Sequence, residues 1–277
     1  MNAAYTRKDV SRLPRTIQQA LTYIHALASV PESTVDGLIR GDAHQPLTGI
    51  AVCFAPTTAV IRKANEAGCN LLVTHQQLFH HRPDDDAGSH KNQVHRFKEE
   101  LLQETAIAVY RFHDGPHQMN PELLTDSLIR NVGWNSLITG VNRFYSSVTF
   151  TEHCSVQDII AHLKHTLRIS HVRLSGDSDA LCKKIGVSAG FSGYAQRVIS
   201  LFTDENVDVV ITGEPLESGA AEFVQDANAL GKQYALIVLD HGESEIPGMI
   251  KTAKMLTQSF PEVPVHFIRN ELAFEVK

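Results

Sequence analysis

The stretch GIAVCFAPTTAVIRKANEAGCNLLVTH, residues 49–75, decides the fold. GIAVCFA (49–55) is a continuous apolar run of strand length, as expected of a parallel strand buried on both faces. Pro56 and Thr57 open a helix that runs through about Ala67, with Thr57 as its N-cap and Gly68 as its stop. A second apolar run, CNLLVTH (69–75), follows at once. Strand, helix and strand in this order make a βαβ unit, whose crossover is expected to be right-handed.

The same alternation extends outward. Upstream, Ile17, Leu21, Ile24 and Leu27 stand at helical spacing within residues 14–29. Downstream, 76–90 reads as a loop carrying the acidic run Asp84, Asp85 and Asp86. Residues 92–104 read as a helix facing inward through Val94, Phe97, Leu101 and Leu102. TAIAVYRFH (105–113) is the third strand, and a helix follows from about Pro121 to Asn131. Beyond a weak boundary at 131–143, strands at 145–150, 183–190, 207–214, 234–241 and 263–269 alternate with helices at 155–167, 193–203, 217–230 and 245–258. Such a pattern implies a doubly wound or layered α/β architecture.

Composition narrows the class. The chain has 277 residues, 43% hydrophobic and 20% charged, which suffices for one large α/β domain or two smaller ones. Its net charge of −6 argues against a general nucleic-acid surface, which needs a basic excess. No apolar run approaches a membrane span, and the first residues carry no secretory apolar core, so the expected location is the cytoplasm. The four cysteines form no CxxC pair, and Cys53 and Cys69 read as small core residues of a reducing compartment. Fifteen histidines are the unusual count.

Their positions point to chemistry. In parallel α/β sheets, ligands bind beyond the carboxyl ends of the strands. Three strands here end on an imidazole: LLVT at His75, AVYRF at His113 and LIVLD at His241. His113 and His117 are four apart, and Gly115 and Pro116 between them are expected to form a turn aiming both rings at one point. His241 and Glu245 are also four apart at a helix start, which puts them on one helical face. Histidine nitrogen with carboxylate oxygen suits zinc, manganese, iron or nickel, at one or two ions per subunit. His75, His113, His117, His241 and Glu245 are therefore the candidate metal ligands. Glu214, ending a strand in TGEP, reads as a ligand, a general base, an outer partner of a metal-bound histidine or a helix cap. Glu214 and Glu245 are the candidates for proton transfer. The segment SAGFSG (188–193) reads as a tight turn, with a phosphate cradle as the alternative. His80, His81 and His90 lie in the polar loop. His25, His153, His162, His165, His171 and His266 read as surface or interface residues.

AGCNLLVTHQQLF, AVYRFHDGPH, VDVVITGEP and LDHGESEIPG resemble the dinuclear-metal-centre proteins related to NGG-one-interacting factor three, also known as GTP cyclohydrolase I type 2 homologs. The resemblance covers most of the chain from about residue 30. It implies two interlocked, layered α/β domains with mainly parallel strands and a metal site between them. One domain would comprise 1–130 with about 235–277, and the other about 131–234. It further implies a ring-shaped homohexamer and a small-molecule substrate. Of the family's paired histidines, His75 matches the first while Gln76 stands at the second. His113 matches the next ligand, but His117 stands where the family has a metal-bridging aspartate. His241 and Glu245 match the last motif, with Asp240 in place of its glycine. A neutral imidazole cannot bridge two cations as a carboxylate does, so the expected centre holds one metal or is rearranged around His117. Two functions follow: a metal-dependent hydrolase acting on a nucleotide or phosphoester, or a non-catalytic metal-binding assembly that regulates or delivers metal.

Overall fold

The computed structural model describes residues 15–79, 92–193, 195–215 and 217–271. His80, His81, His90 and the acidic run 84–86 fall outside them. The chain divides into two compact units, Met1–His113 with Ala253–Ile268, and Asp114–Thr252 with Arg269–Lys277.

The first unit opens with α1 (Ile17–His25), capped by Thr16, whose side chain accepts from the Gln19 N–H. It continues with β1 (Gly37–Arg40), β2 (Ile50–Cys53), α2 (Thr58–Glu66), β3 (Leu71–Thr74), α3 (Gln93–Thr105) and β4 (Ala108–Arg111). Thr57 caps α2 as expected, by accepting from the Val60 N–H. Gly68, at φ +71, turns the chain into β3. Strands β2 and β3 pair in parallel, as do β3 and β4, so residues 49–75 form the βαβ unit read from them. All four residues of β2 and of β3 are buried, which is why both read as unbroken apolar runs.

Helix α3 corrects one expectation. Val94 and Phe97 are exposed, and Lys98, Leu101 and Leu102 take the inward face. The Lys98 stem is buried while its ammonium donates to the Leu78 carbonyl (2.7 Å). Phe97 lies instead under the Arg62 guanidinium, 5.5 Å from the ring centre.

The second unit begins with α4 (Asp114–Gln118) and α5 (Leu123–Asn131). Next come β5 (Ile138–Val141), β6 (Ser146–Ser155), α6 (Val156–Leu167), β7 (Arg173–Ser175) and β8 (Leu181–Gly193). The remainder is α7 (Ala195–Thr203), β9 (Val209–Pro215), α8 (Glu217–Ala229), β10 (Ala235–Val238) and α9 (His241–Ser259). The last strand, β11 (Val265–Phe267), pairs in parallel with β2 and completes the first sheet, in the order β1-β4-β3-β2-β11. The second sheet runs β5-β6-β8-β9-β10-β7.

The protein is thus α/β with two sheets and mainly parallel strands. Parallel pairs form the centres, β8-β9-β10 in one sheet and β4-β3-β2-β11 in the other. The antiparallel strands β1, β5 and β7 lie at sheet edges. These are three or four residues long, with no apolar run or alternation long enough to mark them in the sequence. The segment 188–193 is also corrected: it forms the end of β8, and its irregular register with β9 takes up the glycines.

Candidate metal centre

In the first unit, His75 directly follows β3 and is fully buried. Its Nδ1 lies 3.0 Å from the Phe112 carbonyl oxygen. A carbonyl only accepts, so Nδ1 carries the proton and the ring's lone pair sits on Nε2. The Gln76 N–H donates to the Phe54 carbonyl (2.8 Å), and the Thr74 hydroxyl contacts the same oxygen (3.2 Å), which fixes how the chain leaves the strand. His113 follows β4 at Arg111 by two residues, and its backbone N–H donates to Asp36 Oδ1 (2.6 Å). The His75 and His113 rings stack, with centroids 4.6 Å apart and planes at 25°. Two imidazoles from adjacent parallel strands therefore stand together at their carboxyl ends.

In the second unit, His117 sits on α4, where Gly115 and Pro116 are buried in a short helix instead of the expected open turn. Its Nδ1 donates to Glu122 Oε1 (2.9 Å), and Glu122 Oε2 accepts from the Thr125 N–H (2.6 Å) as the N-cap of α5. His241 begins α9, and its Nδ1 donates to Glu214 Oε2 at the end of β9 (2.8 Å). One turn on, Glu245 is buried, with Oε2 3.3 Å from His241 Nε2 and Oε1 4.0 Å from His117 Nε2. The i,i+4 reading of His241 and Glu245 thus describes a real contact.

Electrostatics favour positive charge at both Nε2 positions. Burial works against protonating His117, yet the Glu122 hydrogen bond and charge, with the charges of Glu245 and Asp114, raise it above the usual imidazole value. Burial likewise opposes protonation of His241, and the bonds and charges of Glu245 and Glu214 overcome it. The donor set fits a divalent transition ion: imidazole nitrogens held by acceptors on their far side, with a buried carboxylate between two of them.

Backbone fit reinforces this second cluster. The Gly190 N–H donates to Ser244 Oγ (2.8 Å), which in turn donates to the His241 carbonyl (2.8 Å). The Ala189 N–H donates to Thr125 Oγ1 (3.1 Å). Together these bonds tie β8 to the starts of α5 and α9. Asp240, just before His241, has φ +88, a conformation in which glycine is the unstrained residue.

Sequence reasoning missed Glu122, Asp36 and Gly190. Glu122 gave a weak signal because glutamate is an uncommon N-cap, and Gly190 read only as a turn. Exposed His25, His153, His162, His165 and His266 stand outside these clusters. His171 pairs with Asp240 at 3.7 Å.

Paired α/β units whose strand ends carry histidines and carboxylates define a class of candidate metalloproteins. Within it, the chain belongs to the Duf34/NIF3 (NGG1p interacting factor 3) family, whose model matches residues 14–272. A GTP cyclohydrolase 1 type 2 homolog of Clostridium perfringens is 26% identical over 239 residues, covering 80% of this chain and 82% of the relative. Solved structures share the fold. Staphylococcus aureus protein SA1388 has a TM-score of 0.73 at 17% identity, covering 96% of this chain and 100% of that one. A Bacillus cereus protein related to NIF3 has a TM-score of 0.72 at 12% identity, with coverages of 96% and 100%. No helix among the described residues is long and apolar enough to cross a membrane.

Proposed function

We propose that this chain is a metal-binding protein acting as a metal-dependent hydrolase on a phosphoester or nucleotide. Its candidate ligands are His75 and His113 in the first unit, and His117, His241 and Glu245 in the second. One observation carries the reading: His75, His117 and His241 each present Nδ1 to an acceptor and so turn Nε2 toward a ligand position.

A divalent ion held there supplies Lewis acidity toward a phosphoryl or carbonyl oxygen. The chain's own residues do the rest. Glu122 and Glu214 hold the rings of His117 and His241 in one orientation and tautomer. Proton transfer falls to Glu214 or Glu245, the two carboxylates that face the His241 ring. The assembly is a homohexamer and the ion is zinc, iron, manganese or nickel, at one or two per subunit.

The test is elemental analysis of untagged protein after loading with each metal, for the parent and for His75→Ala and His241→Ala. At least one ion per subunit in the parent, lost in the variants, supports the reading; no metal under any loading condition sinks it. A phosphodiester and nucleotide panel follows, run with and without metal. Metal-dependent turnover lost in Glu245→Gln marks an enzyme, and bound metal without turnover marks the non-catalytic assembly. Light scattering of the purified protein measures the subunit count.

A further inference from the structure

Beside His117, the second unit contains an open cavity of about 210 Å³ lined by Arg143, Arg197, Phe144, Phe191 and Gln118. Its charge is the reverse of the chain's net −6. No carboxylate among the described residues lies within ion-pair distance of either guanidinium. The single carboxylate lining the cavity, Glu122, is engaged by His117 and by the Thr125 N–H. Two arginines without acidic partners among the described residues, at a cavity mouth, are a standing attraction for an anion.

Both guanidiniums are held in place. Arg143 donates to Gln118 Oε1 (3.0 Å), while the Arg143 and Arg197 guanidiniums lie 5.6 and 4.6 Å from the centre of the Phe144 ring. The Phe144 backbone is fixed in turn, since its N–H donates to Asn142 Oδ1 (2.8 Å) and its carbonyl accepts from Ser188 Oγ (2.9 Å). Phe191, on the irregular end of β8, leaves half of its surface exposed at the same cavity. An exposed aromatic face next to two ordered arginines suits a ligand that is planar at one end and doubly negative at the other.

We propose that this cavity binds a small aromatic phosphomonoester, its phosphate on Arg143 and Arg197 and its ring against Phe191. Its use in catalysis rests on the metal reading above; its binding does not. The volume has room for one ring and one phosphate.

The probe is phenylphosphonate, which is not hydrolysed, with methylphosphonate as the ringless comparison. Calorimetric titration is run on the protein as purified and again after chelation. Phenylphosphonate is expected to bind about tenfold more tightly than methylphosphonate. Arg143→Ala and Arg197→Ala should each weaken phenylphosphonate about tenfold. Phe191→Ala should weaken phenylphosphonate while leaving methylphosphonate within twofold, on the order of measurement error. Circular dichroism of the variants should match the parent, because the replaced side chains are exposed. Equal affinity for both phosphonates, or phenylphosphonate binding unchanged in the Arg143→Ala, Arg197→Ala double variant, overturns the proposal. Arginine-dependent binding that survives chelation supports it even if the metal reading fails.

Discussion

Gly190 meets Glu245 so closely that a β-carbon on Gly190 would lie 1.9 Å from Glu245 Oε1. The end of β8 and the first turn of α9 therefore share a space with no room for one more methyl group. Gly190 is also at φ +69, where side chains are strained. A residue that reads as a turn glycine in the sequence is the wall against which the buried carboxylate rests.

Gly190→Ala is therefore expected to displace Glu245 and weaken metal binding by at least about tenfold. It should also cost roughly 1–3 kcal/mol of stability through its backbone conformation. Metal titration and thermal melts read the two effects separately. An alanine variant with parental affinity means that Glu245 does not ligate.

Asp240→Gly tests strain at the neighbouring turn. Removing the side chain at φ +88 relieves the native backbone, while glycine's looser unfolded chain offsets part of the gain. The half-exposed contact with His171 contributes little. The expected net effect is a stabilisation of at most about 1 kcal/mol, read by urea unfolding. A clear destabilisation would assign Asp240 a structural role that its geometry does not reveal.

Glu122→Gln and Glu214→Gln keep an acceptor near each histidine but remove the charge. Each is expected to lower metal affinity about 10- to 100-fold without loss of fold. The parental dissociation constant in both variants would show that Nδ1 anchoring is dispensable.

Lys98 gives a pH signature in the first unit. Burial lowers its pKa from 10.5 to about 8. Between those values the unfolded chain holds a proton on this group that the folded chain has released, so the contribution of Lys98 to stability rises with pH across that window. Below it, both states are protonated and the full penalty stands. Thermal melts of the parent against Lys98→Met should show a stability difference that shifts in the parent's favour as pH rises across the window. Parallel profiles would mean that Lys98 is as solvated folded as unfolded.

Residues 49–75 made the βαβ unit legible because both strands are buried on both faces, which forces unbroken apolar runs on the sequence. Thr57 and Gly68 were legible because caps and left-handed stops restrict residue type locally. His75, His113 and His241 stood out because strand ends in parallel sheets are where such groups gather. Helix α3 was misread at Val94 and Phe97, because a long lysine stem fills a core position as well as an apolar side chain does. The edge strands went unseen because three or four half-exposed residues carry no periodicity.

The sequence by itself determined the α/β class, the central strands and the residues that end them, since each follows from local burial and local backbone preference. Tertiary structure alone decided what those residues do. Glu122 anchors His117, Glu214 anchors His241, and Gly190 leaves space for Glu245, through contacts between segments brought together by folding. The cavity of Arg143, Arg197 and Phe191 is of the same kind. No local pattern marks it, because its parts come from a hairpin, a strand end and a helix that meet only when the second sheet has formed.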